Sequence, residues 1–198
     1  MALVYNAELQ PSKLDLIASW LPSQDWYGSG EHPELEQLAS YRFDDPDGEV
    51  GIETHLLRDG EGSLFQVPLT YRSAPLTGAD DALVGTMQHS VLGERWVYDA
   101  VHDPVYVSVV ASVIASGGTE ADQFRHTDTG PQPMENTAHV VGSGDPVDGK
   151  AGSVELVRRP ATDGRVSQSP RIDGWWDGQP NRVTLLSWSQ AAAQSGIA

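Results

Sequence analysis

From residue 40 to residue 101, apolar side chains recur at every second position in five successive runs. That period commits the middle of the chain to strands. The runs are SYRFDD (40–45), VGIETHLLRD (50–59), LFQVPLTYR (64–72), LVGTMQHSV (83–91) and ERWVYDAV (94–101). Pro46-Asp47-Gly48-Glu49 separates the first two, and its Asp-Gly pair signals a hairpin turn. Short polar connections between the others predict antiparallel neighbours. Phe65, Val67, Leu69 and Tyr71 fall on one face of the third run. Pro68, set among them, has no N–H to give a ladder, so it is expected at an edge or a bulge. Trp96 and Tyr98 share a strand face, and Trp96 and Trp188 are expected in the core.

Two helices frame this sheet. ALVYNAEL (2–9) alternates like a short strand, and SKLDLIASWLP (12–22) then changes to helical spacing. Ser12 is an N-cap with Asp15 three positions on, Leu14, Ile17 and Leu21 share a face, and Pro22 stops the helix. At the far end, Asp103-Pro104 gives an N-cap followed by proline at the first helical position, and Gly117-Gly118 gives a stop. The valines between favour a strand by propensity. The cap and the stop agree on a helix, with Val105, Val109 and Ser112 or Val113 on its inner side.

Beyond residue 117 apolar residues thin out. The chain divides into 1–117, an α+β domain; 118–135, a linker or mobile loop; 136–190, a β-rich appendage on the first domain; and 191–198, a frayed tail. Strands are predicted at 137–144, 153–160 and 183–188. The stretch 160–181 reads as polar loop around Trp175-Trp176. With 28 acidic against 12 basic residues the net charge is -16. Such a surface repels phosphate backbones and anionic headgroups, so neither nucleic acid nor membrane is expected as a partner. The chain has no cysteine, which removes disulfides, thiol catalysis and thiolate metal sites. MALVYNAELQPSKLD has neither a basic start nor a long apolar run, so a cytoplasmic protein is expected.

Three segments in order, LPSQDWYGSG (21–30), LFQVPLTYR (64–72) and LVGTMQHSVLGERWVYDAVHDPVY (83–106), resemble the N-terminal cap of actinobacterial maltokinases and related aminosugar kinases. The resemblance implies a cystatin-like fold, a curved antiparallel sheet cradling an N-terminal helix. It departs from the family where Asp25 and Ser29 or Gly30 stand in place of basic residues. MENTAHVVGSG and GSVELVRRPA are similar to an eroded hairpin and strand of a kinase N-lobe. In that alignment Asn136-Thr137 occupy the hairpin, and Glu155 or Leu156 takes the place of the ATP lysine ahead of Arg158-Arg159. Residues 161–198 are too few for a catalytic lobe, so none is expected.

No Gly-rich phosphate loop with lysine and no kinase catalytic loop occurs. Adjacent His89 and Ser90 point to opposite faces of one strand, which is no triad. His89, Asp99, His102 and Asp103 form a candidate polar cluster, but without metal-ligand spacing, so neither metal nor cofactor is expected. Trp26, Tyr27, Trp175 and Trp176 are candidate sugar-stacking side chains, against core packing as the other reading. The expectation is a non-catalytic cap-type protein with a binding or regulatory role in maltose, trehalose or glycogen metabolism. Its partner is expected to be a sugar kinase, an α-glucan enzyme or a second copy of itself. A carbohydrate or sugar-phosphate binder is the alternative, and a kinase-related enzyme of another activity is the third.

Overall fold

The computed structural model describes residues 2–4, 7–28, 31–127, 129–147 and 152–190. Its elements in chain order are β1 (Ala2–Val4), β2 (Leu9–Gln10), α1 (Lys13–Trp20), β3 (Leu35–Phe43), β4 (Gly51–Asp59), β5 (Leu64–Arg72), β6 (Leu83–His89), β7 (Gly93–Asp99), α2 (Pro104–Ser116), β8 (Gln123–Arg125), β9 (Gln132–Met134), β10 (Ala138–Gly142), β11 (Gly152–Leu156), β12 (Arg171–Trp176) and β13 (Gln179–Gln190). The architecture is α+β. A six-stranded antiparallel sheet runs β2-β6-β7-β5-β4-β3, and a second, four-stranded sheet runs β10-β12-β13-β11. A small third sheet, β1-β8-β9, pairs β1 and β8 in parallel. Register shifts at Gln37/Ala39 and at Leu83/Gly85 curl the large sheet.

Alternation decides which side chains meet which helix. On one face of the large sheet, Leu57, Phe65, Val67, Leu69 and Val97 pack with Leu16, Ile17, Trp20 and Leu21 of α1 and its following turn. On the other face, Tyr41, Phe43, Ile52 and Leu56 pack with Tyr106, Val109, Val110 and Ile114 of α2. That second core continues without a break into Val140, Ile172, Trp176, Leu186 and Trp188 of the second sheet. β4 and β5 are therefore buried on both faces.

Local chemistry sets the ends of both helices. Ser12 Oγ accepts from the Asp15 N–H at 3.2 Å and donates to the Asp15 carboxylate at 2.7 Å, a reciprocal cap. Asp103 accepts from the Val105 N–H at 2.9 Å. Gly117 closes α2 with φ 64° and ψ 31°, a left-handed conformation that glycine adopts without strain. Helix thus prevails over strand propensity at 104–116, because Tyr106, Val110 and Ile114 find a core on which only helical spacing seats them. The inner side is centred on these three, rather than on Val105 and Ser112, and Ser112 is exposed.

Other expectations change. Residues 2–9 do not form one strand: β1 joins β8, while β2 pairs with β6. The segment 118–135 contains β8 and β9, and the polar stretch 160–181 contains β12 and the start of β13, which seats both tryptophans on a strand. β10 and β11 are not neighbours but lie at opposite edges of their sheet. Trp96 is half-buried and belongs to neither core, whereas Trp188 is buried. Pro68 lies inside a strand with neighbours on both sides, at the one point where it costs nothing. The Gln66 N–H points away from β4 to the Arg158 carbonyl, so the Pro68 nitrogen points the same way. There β7 has already ended, at Asp99 opposite Leu69. Ser29, Gly30 and the tail 191–198 lie outside the described residues. Among the described residues, no helix is long and apolar enough to cross a membrane.

α2 packs tightly on the second sheet at Gly142, where an added Cβ would sit 2.0 Å from the Val113 carbonyl oxygen. That neighbour is backbone and cannot swing aside. Gly142→Ala is expected to destabilise the protein by about 3 kcal/mol or more, read as a lowered urea midpoint with an unchanged m-value.

Candidate functional site

The four polar residues at the strand-to-helix corner are not one cluster. His89 stands opposite Gly93 at the turn end of β6–β7, and Asp99 lies six residues further along β7, about 20 Å away. His89 Nδ1 accepts from the Val91 and Leu92 N–H groups at 3.2 and 3.1 Å. His102 is exposed in a 3-10 turn, Ala100–His102. The two aspartates are buried and each holds an arginine. Asp103 receives a two-pronged bond from Arg72, at 2.7 and 2.6 Å. Burial would raise its carboxyl, but the Arg72 hydrogen bonds outweigh that and hold it low. Asp99 is paired with Arg158, which arrives from the connection after β11.

That arginine also explains Trp26. The Arg158 guanidinium lies 4.6 Å from the Trp26 ring centroid, and Trp20 approaches the ring at 5.9 Å. Tyr27 is buried, edge-on to Phe65 at 5.8 Å, and its carbonyl accepts from Arg159 at 2.7 Å. Gln66 Nε2 completes the joint by donating to the Val157 carbonyl at 2.7 Å. In the second sheet, Trp176 is core. Trp175 stacks on His139 of β10 at 5.5 Å and meets the Arg182 guanidinium of β13 at 4.8 Å. The four aromatic candidates are thus engaged by protein, two in cores and two against cations.

A different feature has the geometry of a site. Where β2, the β6–β7 turn and the β3–β4 turn approach one another, they border an open groove of about 710 Å³, within the range of small-molecule sites. Lys13, Arg42, Tyr71, His89 and Arg95 line it, facing Asp44, Asp45 and Glu49 of the β3–β4 turn. Beneath it one buried carboxylate, Glu53, holds both Lys13 Nζ at 2.5 Å and Arg42 Nη2 at 2.8 Å. His55 lies 3.8 Å from that carboxylate and is fully buried. Its Nδ1 is 2.8 Å from Gln37 Oε1 and its Nε2 is 3.2 Å from the Tyr71 hydroxyl. Lys13 Nζ also lies 5.5 Å from the Tyr71 ring centroid.

Burial and charge pull these groups apart. Burial alone would raise Glu53, but Arg42, then His55 and Lys13, hold it well below the usual carboxylate range. Burial pushes His55 down to about 4, against the attraction of Glu53. It pushes Tyr71 well above its ordinary value, and the Glu53 charge adds to the rise. At neutral pH the cluster is one carboxylate, two cations, a neutral imidazole and a neutral phenol. Such clusters mark functional sites and structural ion networks alike. Among the described residues, no group of three or more His, Asp or Glu is placed to hold a metal ion.

The sequence carried a signal for this cluster in GIETHLL (51–57). Glu53 and His55 occupy the same-face positions as Leu57, so strict alternation puts a carboxylate and an imidazole on a buried face. Such groups must be partnered, and their partners come from α1, β3 and β5, too far away in sequence to be read.

Compared with known protein families, residues 20–103 match the maltokinase N-terminal cap domain. The segment carries α1's last residue, the large sheet from β3 to β7 and the N-cap of α2. No curated protein matched the chain.

The buried charges give two testable outcomes. Arg158→Met leaves Asp99 buried without its cation and is expected to cost about 3–5 kcal/mol. Asp99→Asn combined with Arg158→Met should cost less than the sum of the single changes, as measured by chemical denaturation. The second concerns His55. Folded His55 titrates near 4 and an unfolded histidine near 6.5, so the neutral ring stabilises the fold fully above about 6.5. That contribution, on the order of 3 kcal/mol, disappears as pH falls from 6.5 towards 4. Glu53, depressed when folded, adds a further loss below the unfolded value of 4.5. His55→Gln is expected to flatten the 6.5-to-4 limb of a stability–pH curve and leave the lower limb.

Proposed function

We propose, from the maltokinase-type cap at residues 20–103, that this chain is a non-catalytic, cystatin-like cap module of maltose and α-glucan metabolism that acts by binding. Arg158 carries this reading. By resemblance, Arg158-Arg159 follow the strand that in the kinases presents the ATP lysine. Here Arg158 is committed to Asp99 and Trp26, and Arg159 to the Tyr27 carbonyl. The strand ahead of them, β11, offers an exposed carboxylate, Glu155, and an apolar side chain, Leu156, that packs on the core. Phosphoryl transfer needs cations free to clamp phosphates, and these two are used to fasten the C-terminal sheet to the cap. The partner this reading requires is a sugar kinase or α-glucan enzyme, or a second copy of the chain.

A sugar site on the tryptophans is not favoured, since packing engages Trp26 and Trp175 and buries Tyr27 and Trp176. The test is an assay of the purified chain with ATP, Mg²⁺ and either maltose or glucosamine, followed by sugar-phosphate detection. The expected result is ADP formation no faster than in the protein-free blank. Phosphorylated sugar above that blank overturns the non-catalytic reading.

A further inference from the structure

The 710 Å³ groove has walls of opposite sign. β5, carrying Tyr71, runs between the two sides: β6 and β7 lie to one side of it, β4 and β3 to the other. On the first side stands Arg95, beside His89, whose Nδ1 accepts from the Val91 and Leu92 N–H groups, and on the second Asp44, Asp45 and Glu49. The floor is cationic, because Lys13 and Arg42 share the single charge of Glu53. Arg42 Nε is buried with no hydrogen-bond partner among the described residues. Arg95 gives one N–H to the Leu92 carbonyl, at 2.7 Å, and has other donors left. Lys13, Arg42 and Arg95 are three of the twelve basic residues of a chain with net charge -16. They meet the carboxylates of Glu53, Asp44, Asp45 and Glu49, so the groove separates charge across its width rather than carrying one sign. Screening confines the distant carboxylates to about 8 Å at physiological salt, so the groove's own charges decide what enters it.

We propose that this groove binds a small hydroxylated organic anion, either a phosphate monoester or a carboxylate of a polyol. The anionic group lies against Lys13 and Arg95, and the hydroxyls donate towards the carboxylates of the 44–49 turn. A neutral polyol would leave the cationic floor uncompensated. A bare anion would make no use of the acidic wall, and a cation would meet Lys13 and Arg42 at the floor. Tyr71, Leu9 and Met87 supply apolar surface along the groove, suited to a carbon skeleton. This inference does not depend on whether the chain is catalytic.

The test uses the full chain with four probes: glucose 6-phosphate, gluconate, glucose and inorganic phosphate. Binding is followed by calorimetry and by backbone amide shifts. Glucose 6-phosphate or gluconate is expected to bind one site, shifting amides at Lys13, Arg42–Glu49 and His89–Arg95; which of the two binds tells phosphate from carboxylate. Glucose and inorganic phosphate are expected to bind at least about tenfold more weakly, the worth of one charge-assisted contact. Arg95→Gln should weaken the anion by at least about tenfold, leave glucose unaffected and leave the melting temperature within a few degrees. The proposal fails if neither organic anion shifts groove amides, or if glucose or inorganic phosphate binds equally well. It also fails if Arg95→Gln leaves the anion's affinity unchanged.

Discussion

β4 and β5 have no solvent face, and the rest of the architecture answers that constraint. A strand buried on both sides needs two covers. α1 supplies one, while α2 backed by β10, β12 and β13 supplies the other. It also needs partners for the charged and strongly polar groups it carries. Glu53 and His55 find theirs in Lys13, Arg42, Gln37 and Tyr71; the Gln66 backbone and side chain find theirs in the carbonyls of Val157, Arg158 and Leu185. These partners lie outside the sequence neighbourhood of the strands they serve. The same bonds that satisfy the buried strands fix α1 on one face and the C-terminal sheet on the other.

The charges divide into two groups with different work. Asp99, Asp103, Arg72 and Arg158 are inward, paired and tied to a corner of the fold. Removing any one leaves a buried charge without its counterpart. Lys13, Arg42 and Arg95 line an opening, and the buried Arg42 Nε has no hydrogen-bond partner among the described residues. The first group reads as construction. The second has the openness that recognition requires, although its floor is anchored by a buried carboxylate. Lys13 belongs to both, since it fastens the start of α1 and faces the groove.

Local signals in the sequence carried most of the cap. Ser12 with Asp15, Asp-Gly at 47–48, Asp103-Pro104 and Gly117 each determine backbone geometry within a few residues, and each appears in the structure where it was expected. The β12–β13 hairpin was missed because Asp177-Gly178 sits between two tryptophans and a proline, so its turn signal lacks clean alternation on either side. The pairing of β1 with β8 spans more than a hundred residues and has no local signature at all. The sequence left two readings of the aromatic residues, sugar stacking and packing, for a physical reason. Trp26 and Trp175 lie in polar sequence surroundings, yet the cations that cover them come from Arg158 and Arg182. The groove escaped because its lining is assembled from five separate segments, and only the odd placement of Glu53 and His55 in a buried strand hinted at it.

Arg158 has a consequence for how the chain is made. The large sheet is complete once residue 99 has been synthesised, but one of its faces and the carboxylate of Asp99 wait for residues beyond 138. During synthesis at about 5–20 residues per second, several seconds pass in which Tyr41, Ile52 and Leu56 have only α2 against them. The protein's most exposed moment thus falls during its own translation. Its C-terminal sheet acts as a late-arriving lid over surface that the ribosome has already released.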